Sequence, residues 1–197
     1  MAWAPDYATS EELAAYTRVE DTDDAVVMDM ALSAASRSID RACRRQFGTA
    51  VGSRAYTPVA SGNGLFALDV DDLQSVSAVA ADIAGDGLYS TPVATWHLSP
   101  RNALADGEPY TKLFLSQAVA GATESVLVTG TFGWLAVPPA VKQACLMQAS
   151  RLLARRDSPF GVAGSPENGS ELRLLAKLDP DVEVTLRSYR RYRQSFA

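Results

Sequence analysis

The chain carries one histidine, His97, and two cysteines, Cys43 and Cys145, in 197 residues. A structural zinc site takes four Cys or His ligands, and a serine or cysteine nucleophile needs a base beside it. Three residues cannot supply the first, and only His97, next to Trp96 in a strand-like run, could supply the second. Both cysteines fall on apolar stripes of helical segments, where a thiol acts as a small hydrophobe. Asp69, Asp71 and Asp72 offer carboxylates at a spacing that hard cations accept, but no glycine follows the third acid and no distal glutamate completes a calcium loop. A solvated turn accounts for them better. Ser61 to Gly64 and Gly85 to Gly87 are glycine-rich, yet each lies between two strand-like runs, whereas a phosphate cradle needs a strand before it and a helix after it. They predict hairpin turns. The residue inventory therefore predicts a protein that is not an enzyme and has no metal and no cofactor.

The segment Arg187 to Ala197 is the most suggestive patch, with four arginines interleaved with Tyr189, Tyr192 and Phe196. Fixed charge beside aromatic area suits a protein groove or a nucleic acid. The chain as a whole is acidic, with an isoelectric point near 4.9, while nucleic-acid domains tend to be basic. A protein groove is favoured, and a nucleic-acid-binding accessory role stays open as the alternative.

The formal net charge of −5 conceals a gradient. Met1 to Ser36 holds eight acids and one base, Arg37 to Ala136 nine acids and seven bases, and Val137 to Ala197 six acids and ten bases. The three stretches carry −7, −2 and +4. Opposite ends of this kind suit copies packed side by side, the acidic face of one against the basic face of the next. Charge placed to suit helix dipoles is the plainer reading, and both stay open.

The elements that position these residues follow from caps, breakers and periodicity. Thr9-Ser-Glu-Glu12 is a capping box that predicts a short helix to about Thr17. A longer helix is predicted from Asp23 to about Phe47, with Met28, Leu32, Ala35, Ile39 and Ala42 on one stripe and Gly48 closing it. Between Ser53 and Thr131, short β-rich runs predict an antiparallel unit: Arg54 to Val59, Leu65 to Val70, Val76 to Ala80, Thr95 to Leu98, Lys112 to Leu115 and Ser125 to Gly130. Pro92, Pro100 and Pro109 fall between them. Val137-Pro-Pro139 restarts helix through Arg156. A long Gly/Pro/Ser loop, Asp157 to Ser170, is the stretch expected to move most. A short helix from Ser170 to Lys177 and a second cap-proline-acid signature at Asp179-Pro180-Asp181 follow. The length fits one domain with an inserted subdomain. The N-terminus lacks a basic head and an apolar segment of signal-peptide length, so a cytoplasmic, disulfide-free protein with no membrane partner is expected.

The order of segments resembles a known family. Tyr7-Ala-Thr-Ser-Glu-Glu-Leu13 is followed by a helix ending Ile39-Asp-Arg-Ala-Cys-Arg-Arg-Gln-Phe-Gly48. After a β-rich middle, Thr129-Gly-Thr-Phe-Gly-Trp134 leads into Val137-Pro-Pro-Ala-Val-Lys-Gln-Ala-Cys145. This pattern, with the Arg155 to Gly164 loop and the Leu178 to Arg191 ending, resembles the head-to-tail adaptor (connector) proteins of long-tailed bacteriophages, especially those of actinobacterial hosts. The resemblance implies an α+β adaptor: a helical core, residues 1–52 plus 134–177, interrupted by a β subdomain, 53–133, and ending in a docking arm, 178–197. It implies a ring, commonly of twelve copies, beneath the portal protein and above the next neck or tail-completion protein. Double-stranded DNA would pass through its centre, and the protein, made in the host cytoplasm, would reside in the virion neck. Carried over, the portal-docking anchors are Tyr189, Arg190, Arg191, Tyr192, Arg193 and Phe196. Within such a ring the inter-subunit candidates are the acids Glu20, Asp21, Asp23 and Asp24 against the bases Arg151, Arg155 and Arg156.

Overall fold

The computed structural model describes residues 4–18, 25–61, 64–116, 123–156, 162–163, 172–173 and 178–191. The fold is α+β, with helices and an antiparallel sheet of seven strands. Two compact units form, one from Ala4–Arg45 with Val137–Tyr192, the other around Gln46–Ala136.

In the helical unit, α1 (Ser10–Thr17) starts at Thr9, whose hydroxyl accepts the Glu12 N–H while the Glu12 carboxylate accepts the Thr9 N–H. This is the capping box expected from the sequence. Helix α2 (Ala25–Cys43) buries Met28, Ala31, Leu32, Ala35, Ser36, Ile39 and Cys43. It ends four residues earlier than the sequence suggests. Arg44 takes the left-handed φ of 54° and Arg45 N–H bonds Asp40 O at 3.3 Å, so Arg44 and not Gly48 closes the helix. The reason is Phe47, which is 1% exposed and packs on Trp134 in the β unit at 5.2 Å between ring centroids. Helix α3 (Pro139–Arg156) packs on α2 through Val141, Ala144, Cys145 and Ala149, all fully buried. Asp179 then accepts the Asp181 N–H and caps α4 (Pro180–Leu186), with proline in its first turn. Val182 and Leu186, four apart, are fully buried where α4 meets α2 and α3. A 3-10 turn, Arg187–Tyr189, follows.

The β unit comprises β1 (Thr49–Tyr56), β2 (Val59–Ser61), β3 (Leu65–Ala81), β4 (Thr91–Pro92), β5 (Trp96–Ser99), β6 (Tyr110–Leu115) and β7 (Val126–Gly133). The main path runs β1-β7-β3-β6-β5, with β2 and β4 also pairing β3. Leu68, Val70, Leu73, Leu113, Leu115, Val126, Val128 and Phe132 fill the core. The first strand begins at Thr49, so the β unit takes in residues that the sequence assigns to the helices. Leu65 to Val70 and Val76 to Ala80 belong to one 17-residue strand, not two. Its pairing shifts register between Asp69 and Leu73, between Leu73 and Ser75, and again between Val76 and Ala78. Bulges there let one strand serve β6 with its first half and β7 with its second. Gly130 lies opposite the bulge, where a Cβ would stand 2.1 Å from Ser75 O. Pro92 sits inside the two-residue β4 and not between strands.

Two further segments, β8 (Val162–Ala163) and β9 (Leu172–Arg173), pair antiparallel. Leu172 and Arg173 thus lie in a strand where the sequence predicts helix; the rest of the 157–177 stretch is outside the described residues.

Candidate assembly interface

The residues singled out for chemistry are occupied in packing. His97 lies in β5, partly buried and stacked on Phe114 with centroids 5.0 Å apart. Cys43 and Cys145 are free thiols, each fully buried, and desolvation pushes the Cys43 thiol up to about 11. Asp71 and Asp72 are not in a solvated turn. Asp71 accepts from Arg54 at 2.7 Å and from Tyr56 Oη at 3.2 Å, and Asp72, 2% exposed, accepts from Trp134 Nε1 at 2.9 Å. Both carboxylates therefore tie β3 to neighbouring segments of its own unit. The Asp82 carboxylate collects the N–H groups of Gly85, Asp86 and Gly87, which hold its pKa below the ordinary value and build the turn that the two glycines predict. Among the described residues no three His, Cys, Asp or Glu side chains gather to hold a metal. No helix among them is long and apolar enough to cross a membrane.

Charged pairs knit the helical unit. Lys142 meets Glu12 at 2.6 Å, and that hydrogen bond is the main cause of a lowered Glu12 pKa. Asp40 accepts the Tyr7 hydroxyl and pairs with Arg37 at 3.2 Å, yet burial dominates and raises its pKa. Ser36, fully buried, accepts the Tyr7 N–H at 3.1 Å. The chain before α1 is thereby fixed to α2.

Of the docking-arm candidates, three are described, and they are built into this unit instead of projecting from it. Arg190 pairs with Glu183 at 2.8 Å; Arg191 is 8% exposed and its N–H bonds Cys43 O at 2.8 Å; Tyr189 is half-buried. The cause is the apolar pair Val182 and Leu186, which draws the segment onto α2 and α3. Tyr192, Arg193 and Phe196 lie outside the described residues. So do the acids Glu20, Asp21, Asp23 and Asp24. Arg151, expected at a subunit boundary, instead bonds Asp179 at 2.9 Å and clamps the α4 cap to α3. The side chain of Arg156 is outside the described residues. Arg155 lines a cleft of about 520 Å³ together with Arg41, Ser38 and Gln148.

The sequence reading missed an outward strip on α2. Val26 is 70% exposed and Met30 69%, and Ala34 is exposed one turn further on. Residues four apart share one helix face, so this strip runs along α2 into the cleft, which Ala34 itself lines. The signal was available in Ala25-Val-Val-Met-Asp-Met-Ala-Leu32, where apolar residues exceed what one core stripe uses. No family model and no curated protein matches this chain.

Proposed function

We propose that the protein is a structural virion component, a head-to-tail adaptor whose copies form a ring beneath the portal and join the DNA-filled capsid to the tail. The observation that carries this reading is the apolar strip Val26–Met30–Ala34 on the outer face of the longest helix. A large apolar side chain gains roughly 1.5 to 3 kcal/mol on full burial, so two such residues repeated at every contact favour association. A heterologous contact, in which this strip meets a different surface of the next copy, generates a closed ring when the rotation closes. The −7 and +4 charge at the two ends of the chain gives each copy complementary surfaces and orients the approach. The sequence resemblance supports the same assignment and supplies the twelve-fold count, the portal above and the tail-completion protein below.

Docking to the portal falls in this reading to the last residues, with Tyr192, Arg193 and Phe196 as anchors, because Tyr189, Arg190 and Arg191 are committed within the helical unit. The same commitment weighs against the nucleic-acid alternative, which needs Arg190 and Arg191 available to phosphates. Incubating the full chain with purified portal rings and imaging by negative stain tests the reading. A second ring stacked on the portal is expected, and truncation after Arg191 should abolish attachment while leaving the circular dichroism spectrum unchanged. Truncation after Lys177 would not serve, since it removes the buried Val182 and Leu186.

A further inference from the structure

The helical unit leaves the large apolar side chains of Tyr16, Val26, Met30 and Val184 exposed. Val26 and Met30 stand two residues either side of the buried Met28, and Val184 stands midway between the buried Val182 and Leu186. At about 100° per residue, a two-residue step turns a side chain to the far side of its helix. The α2 strip and Val184 therefore both point away from the core of their own unit, and within one chain they do not meet. Each patch has charge beside it. On α2, Asp29 adjoins Met30 and Arg41 lies further along the same face, both exposed. On the outward face of α4 and its cap, Asp181, Val184 and Arg187 stand three apart, also exposed. Asp29, Arg41, Asp181 and Arg187 form no ion pair among the described residues. Both faces thus run acid, apolar, base along the chain.

We infer that the α2 strip of one copy receives α4 of a second copy of the chain in antiparallel alignment, with Val184 seated against Met30 and Ala34. The inference rests on the side-by-side assembly proposed above and names its contact. Antiparallel alignment sets Arg187 of the incoming helix against Asp29, and its Asp181 toward Arg41. Parallel alignment would instead oppose Asp29 to Asp181 and Arg41 to Arg187, like charge against like, which is unfavourable. The lengths suit the antiparallel match. Asp29 and Arg41 lie about 18 Å apart along the axis and Asp181 and Arg187 about 9 Å, at 1.5 Å per residue, and each end has a long arginine to lean across the difference. Asp181, Val184 and Arg187 form a ridge spaced by three, whereas Val26–Met30–Ala34 and Asp29–Ser33–Arg37 are neighbouring rows spaced by four. Such a ridge set into such a groove keeps two helices within about 20° of a common axis, so all three residues stay in contact. Strip and ridge are different surfaces, so the contact is heterologous and repeats from copy to copy. With α4 only seven residues long, it falls short of the roughly 800 Å² per partner of a standard complex. Free chains therefore associate weakly, and a cross-link is the fitting way to capture them.

Cross-linking of the full-length chain with a short bismaleimide tests this, since both native cysteines are buried. A Met30→Cys chain mixed with a Val184→Cys chain should give about tenfold more cross-linked dimer than either chain alone, because only the mixture brings the two thiols together. Adding Asp29→Arg to the first chain should cut that yield about fivefold through like-charge repulsion, and adding Arg187→Asp to the second should restore it. All four positions are exposed, and circular dichroism confirms that each variant is folded; Val26→Cys on the same strip takes over where Met30→Cys does not fold. A mixture that yields no more than Met30→Cys alone overturns the contact, as does a yield that rises with Asp29→Arg, since the helices would then lie parallel. Purified portal rings separate the two levels. Rings of the two cysteine chains on the portal that give no cross-linked product sink the contact and leave the adaptor reading intact. A Met30–Val184 product from chains that never attach to the portal upholds the contact and sinks the adaptor reading itself.

Discussion

Asp72 fastens β3 to the segment that follows β7 through a buried hydrogen bond from Trp134. As one of three acids in four positions it resembles a cation site or a wet turn, but in the structure it is buried and accepts the Trp134 indole N–H. Nothing local reveals this, because the partner lies 62 residues away. Trp134→Phe keeps most of the packing and removes that donor, and hydrogen bonds to charged groups contribute roughly 1.5 to 3 kcal/mol. Urea unfolding should therefore register a loss of about 2 kcal/mol, and a change below about 0.5 kcal/mol would contradict the assigned role. The cysteines were more legible: each sits on a helical apolar stripe, and each is buried as a thiol. With Cys43 raised to about 11, little thiolate exists at pH 8, so a disulfide-exchange reagent should leave both thiols unreacted until denaturant is added. Asp82 gives a pH signature. Its folded pKa is depressed by three backbone N–H groups, so its contribution is complete above the ordinary carboxylate range and is lost as pH falls through the lower folded value. Thermal melts of Asp82→Asn should lie below wild type at pH 7 and converge with it toward pH 3. Asp40 runs the other way: its folded pKa is raised, so what it contributes is lost as pH climbs from the ordinary carboxylate value through the raised one.

Elements were legible where a local rule fixes them. Thr9 with Glu12, Pro139, and Asp179 with Pro180 each carry their own start signal, and each starts a helix in the structure. Ends and joins were less so, since they answer to distant packing. Phe47 leaves α2 to reach Trp134, and β3 runs on through its acids because β6 and β7 need opposite ends of one strand. Thr9→Ala should cost about 1 kcal/mol of stability by denaturant titration, the usual loss of an N-cap hydroxyl. Gly133 has φ +103°, and a Cβ there would stand 1.8 Å from Gly48 O. Gly133→Ala adds strained backbone to a steric clash, so it should cost about 3 kcal/mol or more, or prevent folding altogether. A soluble, fully stable alanine variant would show that the backbones of Gly133 and Gly48 do not approach this closely.

At the scale of the whole molecule, the charge gradient is plain in the sequence, but its use is not. Eight acids against one base at one end and ten bases against six acids at the other admit many partners. The structure adds the apolar strip on α2 beside a cleft lined by Arg41 and Arg155, and withdraws Arg151, Arg190 and Arg191 from the pool of outward contacts. What was invisible from composition is that Arg151, Arg190 and Arg191 hold the fold of their own unit. Because surface charge pairs are screened at a Debye length of about 8 Å near physiological salt, assembly should weaken between about 0.05 and 0.5 M salt while the apolar contact persists, so rings should loosen without vanishing. Imaging the chain with purified portal by cryo-electron microscopy, with mass measurement of the complex, tests the central claim most directly. The account predicts a second ring coaxial with the portal, twelve copies around an open channel, with α2 of each copy covered by the next. Copies bound singly, a closed channel, or no complex at all would contradict it.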